Sequence, residues 1–382
     1  MKKATPFTFY VLYYSAAAFL TPYLVLYFQQ MGFNGAQIGL LVGIAPLLVL
    51  VGAPLWTWIA DSTGSHRLVM SLAILVTIVG AILFPFFKTL IPVIAAVAVI
   101  NLFAAPVNPM ADSATMAMLA GEKEMYGRVR LGGTVGWGLA APLAGMLIEA
   151  RGLQWAFWGY AVLMLIGLLV SQGLIHPKFE GSKFFDRSIL SLLANRRWTL
   201  FLALAFVCGM CFTATSNYLF PFLAELQATK PTMGLALTLA SVSELPVLFF
   251  ANRLIKWLKA YGLLLLGLFV TGLRLLLFAA FNSVPAVLII QLLLQGLTFP
   301  AVWAAGVSYA DENAPAGLHA TAQGLFGAVV FGFGAATGGF TGGLLLESLG
   351  GRSMYLLFGT FALASLAIIA SIERHVPSKA YG

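Results

Sequence analysis

Apolar runs of about twenty residues, the length a helix needs to cross a bilayer, alternate along this chain with short polar breaks. They predict helices over 7–29, 36–59, 68–87, 90–118, 129–149, 153–175, 199–224, 232–252, 262–281, 285–310, 320–346 and 351–372. The runs are continuously apolar, whereas strands of a membrane barrel alternate polar and apolar residues. With no water in hydrocarbon to satisfy the backbone, helix is what remains. One connection stands apart: 176–198 is polar, basic and close to the midpoint. It divides the chain into an N-terminal bundle (1–175), a central loop (176–198) and a C-terminal bundle (199–382). The expected fold is therefore an all-α integral membrane protein of twelve transmembrane helices in two pseudo-symmetric six-helix bundles.

Composition agrees. The chain is 60% hydrophobic and 9% charged, with a mean hydropathy of +0.94, where a soluble domain carries roughly 25% charged residues. The N-terminus (Met1, Lys2, Lys3, then apolar from Phe7) has the charge pattern of a signal peptide. It lacks a clear small-residue cleavage site and a second span follows at once, so it reads as the first membrane helix. Cys208 and Cys211 share one apolar helix without a nearby His, and read as inert buried thiols.

The net charge of +8 is a topology signal. Basic loops stay in the cytoplasm. With both termini placed there, sixteen of the 21 Lys and Arg residues fall in inner segments. Only Lys88, Arg151, Lys230 and Arg352 fall outside, and Arg274 lies within a span. The excess charge thus meets anionic lipid head groups, not nucleic acid. The protein is expected in the plasma (inner) membrane, multi-pass, with both termini cytoplasmic, and as a monomer.

The halves resemble each other. Gly133-Thr-Val-Gly136-Trp-Gly138-Leu-Ala-Ala141, ending in Leu-Ile-Glu149, matches Val329-Val-Phe-Gly332-Phe-Gly334-Ala-Ala336, ending in Leu-Leu-Glu347. The fifth and eleventh spans then look like copies six helices apart. Parallel repeats of this kind place a substrate site between the halves, near the bilayer midplane.

An ionisable group deep in a membrane costs at least roughly 2.5–3.5 kcal/mol, so it marks a site or pathway by default. Four stand out: Asp112 in the fourth span, Arg130 at the start of the fifth, Glu244 in the eighth and Arg274 in the ninth. A carboxylate accepts hydrogen bonds from solute hydroxyls, and a guanidinium donates a planar fork. Two acids and two bases can neutralise one another in a polar cavity; the plain alternative is a set of structural ion pairs. Pro106, Pro109, Pro142, Pro221, Pro246 and Pro300 fall inside spans, where proline kinks a helix. No phosphate loop, no catalytic Ser or Cys arrangement and no zinc or other metal spacing is found. The residues read as those of a carrier with no cofactor, not of an enzyme.

The first polar turn, Thr57-Trp-Ile-Ala-Asp61-Ser-Thr-Gly64-Ser-His-Arg67, resembles the signature loop of the major facilitator superfamily. Asp61, Gly64 and Arg67 match it; Thr57, Ser62 and His66 depart. The resemblance implies gating at the cytoplasmic side. There the acid pairs with a neighbouring helix end or an Arg, and Gly64 permits the tight turn. Tyr126-Gly-Arg128-Val-Arg130-Leu-Gly-Gly-Thr-Val-Gly136-Trp137 is similar to the fifth helix of the lactose permease family. In that family an Arg here and an acid eighteen residues earlier grip the sugar, and a Trp seven residues later stacks on its ring. Those positions are Arg130, Asp112 and Trp137. Ser243-Glu244-Leu-Pro and Val270-Thr-Gly-Leu-Arg274 resemble the family's segments that couple protons. Ala320-Thr-Ala-Gln323-Gly-Leu-Phe resembles the related phenylpropionate-permease branch.

Gln295 and Thr298 stand where that family has its proton-site His and Glu, so coupling would run through Glu244 or Asp112. An acid beside a moving Arg274 can load and release a proton. The resemblance implies a secondary transporter working by alternating access, with a small-molecule substrate and a proton as partners. Proton-coupled uptake of a sugar-like solute leads. Aromatic carboxylates, nucleosides and proton-driven export remain open, as does a non-transporting receptor or assembly protein.

Overall fold

The computed structural model describes residues 4–119, 122, 125–175, 195–315 and 318–374. Most of the predicted central loop, with Lys178, Lys183 and Arg187, lies outside them, as do Lys2, Lys3, Lys123 and Lys379.

Among the described residues the chain is helical throughout, and eight helices cross singly: α1 Ala4–Gln30, α2 Gly35–Thr63, α3 His66–Phe86, α4 Leu90–Met118, α5 Tyr126–Arg151, α6 Gln154–Ser171, α7 Arg196–Glu225 and α10 Val284–Glu312. Two longer stretches each hold a pair. Lys230–Ala280 turns at Lys259 (φ 60°), giving α8 (230–258) and α9 (260–280). The last stretch, through Arg374, turns at Gly350 (φ 77°), giving α11 (319–349) and α12 (351–374). The twelve spans read from hydropathy are recovered within a few residues at most ends. Large side chains face outward without cover, Ile91 being 80% and Leu139 67% exposed. Hydrocarbon solvates such a surface and water does not.

Short turns make successive helices antiparallel within each set of six, and the contacts of Glu149 with Lys230 and of Glu347 with Gly35 bring the ends of α5 and α11 beside the starts of α8 and α2, so both described termini lie at one end. We call it the terminal end and the opposite one the distal end. Polar residues set the helix starts. Asn34 Oδ1 accepts from the Gln37 N–H at 2.9 Å while Gln37 Oε1 accepts from the Asn34 N–H at 3.0 Å, a capping box that fixes the start of α2. Gly64, with φ 64°, ends the same helix in the left-handed conformation, as glycine does at a helix C-terminus.

Proline and glycine break helices at depth. Pro22 opens a 3₁₀ turn in α1, and Pro106 divides α4 into Leu90–Ala104 and Val107–Met118. α10 is interrupted by the 3₁₀ turn Gln295–Leu297, with Thr298 at φ −92°, ψ −104°, and Val329–Gly334 of α11 forms a π-turn.

α5 lies on α1 through Gly132, Gly133 and Gly136, and α11 lies on α7 through Gly334 and Gly338; a Cβ at any of them would overlap the partner helix. Helices 1–6 meet helices 7–12 along two glycine seams. In one, Gly35, Gly39 and Gly43 of α2 press on Gly343, Phe340 and Ala336 of α11; in the other, Gly145 and Gly138 of α5 press on Lys230 and Ser241 of α8. Thr238 Oγ1 donates to the Gly138 carbonyl at 2.7 Å across the second seam. Tyr23 of α1 stands edge-on to Phe220 of α7, centroids 4.8 Å apart. These contacts lie on the distal side, where the two sets of helices are sealed together.

Candidate substrate-binding site

α1, α4 and α5 bring one polar group together. Tyr10 and Tyr14 are one turn apart on α1, as are Asn108 and Asp112 on α4, since residues four apart share a helix face. Arg130 Nε lies 3.4 Å from Asp112 Oδ1. The same carboxylate oxygen accepts from the Tyr10 hydroxyl at 2.5 Å, and Thr115 donates to that hydroxyl at 3.2 Å. Arg130 Nη2 and Asn108 Nδ2 both donate to the Tyr14 hydroxyl, at 2.5 and 3.2 Å. The guanidinium carbon sits 4.8 and 4.7 Å from the two tyrosine ring centroids. Gly133 makes room: a Cβ there would be 2.8 Å from the Tyr14 ring and 3.0 Å from Arg130 Nη1.

The predicted partnership of Asp112 with Arg130 is therefore present, and it is open. Their side chains are 34% and 29% exposed. The guanidinium has five N–H donors, and Asp112 and Tyr14 do not use them all. A charge pair with spare donors, framed by two aromatic faces, can grip a hydroxylated or carboxylated solute.

Trp137 is two turns beyond Arg130 on α5, half-buried against the cluster of Ala18, Ala140 and Ala141, on which Leu237 of α8 also packs. Its packing is with the seam. Measured from the Gly138–Ser241 contact, Arg130 is eight residues, or about 12 Å, toward the terminal end, and Glu244 three residues, about 4–5 Å, the same way. Both therefore lie on the terminal side of the seam contact.

A second polar group lies in α8, α9 and α10. Gln295 Nε2 donates to Glu244 Oε1 at 2.9 Å. Arg274, 3% exposed, donates to Gln291 Oε1 through Nη2 and reaches Thr298 Oγ1 at 3.5 Å through Nη1. Among the described residues its Nε has no hydrogen-bond partner, and its guanidinium carbon is 5.2 Å from the Phe278 ring centroid. The break in α10 frees the Gly296 N–H, which donates to Ser243 Oγ at 2.9 Å.

Glu244 and Arg274 lie within electrostatic reach of each other but form no ion pair. The expectation that two acids and two bases neutralise one another is met by Asp112 and Arg130 alone. The two positions noted as substituted are the ones in use here: Gln295 holds Glu244 and Thr298 faces Arg274.

At the terminal end, Asp61 Oδ1 is 2.8 Å from His66 Nε2. The expected partner was another helix end or an arginine; the observed one is the histidine across the same turn, brought close by the Gly64 reversal. Arg67 is exposed and lines a shallow surface pocket of about 450 Å³ with Gly64, Ser65, Leu68, Ser71 and Gln172. The three matched residues share one turn, and Asp61 and Arg67 do not pair with each other.

Sequence reading missed Tyr10, Tyr14, Asn108, Thr115 and Gln291. For all but Thr115 the signal was spacing: 10 and 14, 108 and 112, and 291 and 295 are polar pairs four apart. Among the described residues no three His, Cys, Asp or Glu side chains converge as a metal site, and both cysteines are buried free thiols.

With this geometry in place, the chain was compared with known proteins. The sequence model of the MFS_1 like family matches residues 7–357. Maltose permease of Geobacillus stearothermophilus is 25% identical over 371 residues, covering 96% of this chain and 93% of that protein. The putative nucleoside transporter YegT of Escherichia coli (strain K12) is 24% identical over 368 residues, covering 90% and 84%. Among solved structures, the nucleoside transporter NupG superposes with a TM-score of 0.86 at 16% identity, over 97% of this chain and 98% of that one. A likeness at that identity speaks to the fold.

Proposed function

The chain belongs to the MFS_1 like family, and from that premise we propose that it takes up a small sugar-bearing solute, a sugar or a nucleoside, together with protons. It is a multi-pass membrane transporter; substrate, coupling and direction are our reading. Asp112, Arg130 and Trp137 hold the solute from the first six helices, with Tyr10, Tyr14 and Asn108 setting the geometry. Glu244 and Arg274 couple the proton from the last six. The units 1–175 and 199–382 rock about the seams, joined by 176–198, and Asp61, Gly64 and Arg67 gate the opposite mouth.

The observation that carries this reading is the Asp112–Arg130 pair, one-third exposed at 3.4 Å between two tyrosine rings. The pair presents acceptor and donor side by side, as vicinal hydroxyls require. Its aromatic flanks suit a sugar's C–H face or a nucleobase. Relatives named for maltose and nucleoside transport, each aligned over most of this chain, agree with a substrate bearing a sugar ring. The lactose-permease likeness of Arg130, Asp112 and Trp137 adds to this reading. The basic-residue bias supports both termini in the cytoplasm of the plasma (inner) membrane, among anionic lipids; we read the protein as a monomer.

Purified protein in liposomes decides it. Radiolabelled disaccharides and nucleosides are offered under an imposed inward proton gradient. At least one should accumulate, and Arg130→Ala should abolish that uptake. Accumulation of aromatic carboxylates alone, or efflux driven by the same gradient, would replace the reading.

A further inference from the structure

The distal seal is fastened at two places by the same device. Glu149 lies in the last turn of α5, and its Oε2 accepts from the Lys230 backbone N–H at 3.1 Å and from Lys230 Nζ at 3.3 Å. Lys230 is the first residue of α8. Glu347 lies in the last turn of α11, and its Oε2 accepts from the Gly35 N–H at 2.7 Å. Gly35 is the first residue of α2. Each glutamate thus reaches from one set of six helices to the positive N-terminal end of a helix in the other set. The two glutamates are the residues that close the repeated segments Leu-Ile-Glu149 and Leu-Leu-Glu347.

Both receiving helices are prepared alike. In α2 the Asn34 side chain serves the Gln37 N–H, and in α8 the Thr229 side chain serves the Thr232 N–H. Each N-cap thereby satisfies a later N–H and leaves the first one to the glutamate. The approach depends on glycine: Gly145 faces the backbone of Lys230 and Pro231, and Gly35 faces Gly343 and Glu347. A third acid supplies a contrast. Glu225 ends α7, and its two carboxylate oxygens lie 3.1 and 2.9 Å from the Gly351 N–H of α12, within one set of helices.

We propose that Glu149 and Glu347 are paired latches of the distal gate. They hold the distally closed state by capping α8 and α2 across the seams and are released together when the transporter opens on that side. Glu225 makes the same bond without crossing a seam and does not bear on the gate. The roles are positional, since neither glutamate lies in the polar groups that hold the solute. The inference needs alternating access but no particular substrate, so a wrong substrate assignment leaves it standing.

The test is a distance measurement on the full chain in nanodiscs, with Cys208 and Cys211 replaced by Ala and spin labels at Gln154 and Ser348, two exposed distal positions in opposite sets. The unsubstituted gate should give one dominant short distance. Glu149→Gln and Glu347→Gln should each raise the ratio of long to short distances roughly three- to tenfold, and the double variant by about the product. Glu225→Gln should leave the ratio unchanged. Should a Gln variant fail to fold, Glu149→Asp and Glu347→Asp keep the charge, shorten its reach and should move the ratio the same way. A double variant with the unsubstituted distance distribution overturns the proposal, and so does a Glu225→Gln shift as large as theirs.

Discussion

Gln295 donates a hydrogen bond to Glu244 at 2.9 Å, while Arg274, the cation in reach of that carboxylate, is held by Gln291. A neutral amide thus stands where a permanent ion pair would otherwise form. An acid with a neutral partner and a cation in reach can change its protonation when either moves. We expect Glu244→Gln to lose accumulation against a gradient while substrate exchange across the membrane at equal concentration survives. Paired measurements of proton-driven uptake and counterflow in liposomes check this. Concentrative, proton-driven uptake by the variant would remove Glu244 from the coupling path.

Arg130→Lys keeps the charge and loses the fork that spans Asp112 and Tyr14. A lysine ammonium is a compact point charge and does not replace bidentate geometry. The expected result is a roughly tenfold or greater rise in KM, about 1.4 kcal/mol of binding. Asp112→Asn should cost a similar factor. A double-mutant cycle should show the two losses to be less than additive, because both remove one interaction.

Gln291→Leu would strip the buried Arg274 guanidinium of its main acceptor, leaving Thr298 at 3.5 Å. Hydrogen bonds to charged groups contribute about 1.5–3 kcal/mol, so thermal unfolding should shift down clearly. Gln291→Glu restores an acceptor and should recover stability. The same variant ties Arg274 to a fixed anion, and transport should fall even as unfolding temperature recovers. Unfolding scans and uptake on the same preparations separate the two effects.

Gly39 faces the Phe340 carbonyl so closely that an added Cβ would lie 2.5 Å from the oxygen. Backbone cannot yield as a flexible side chain does, so Gly39→Ala should pry α2 from α11. The spin-label pair used for the distal gate should report a larger long-distance fraction in this variant. Gly64→Ala meets no neighbour but must hold φ near 64°. It should cost about 1 kcal/mol of stability, read as a lower unfolding temperature.

Much of the architecture was legible without coordinates because hydrocarbon imposes a simple rule. Each crossing must satisfy its own backbone, so the apolar run and the helix coincide, and the twelve runs correspond to twelve helices among the described residues. Asp112 was legible for the same reason, since a charge at such depth has no solvent and must be met; Arg130, at the start of its span, was legible through the family resemblance. The outcome at Glu244 and Arg274 was not legible. Whether two buried charges touch or take amide partners depends on side-chain reach between α8, α9 and α10, and on where α10 breaks. Asp61 likewise found His66 only because Gly64 folds the turn back on itself.

The sequence by itself determined the helices, their order and the few charged positions that demand partners, since these follow from local hydropathy and the cost of burying charge. Only the tertiary structure decided which partners were taken. It also decided that the distal side is the sealed one and that Glu149 and Glu347 fasten it. Those outcomes rest on glycine-to-backbone approaches between helices far apart in the chain, and no local pattern encodes a distance between surfaces that meet only after folding.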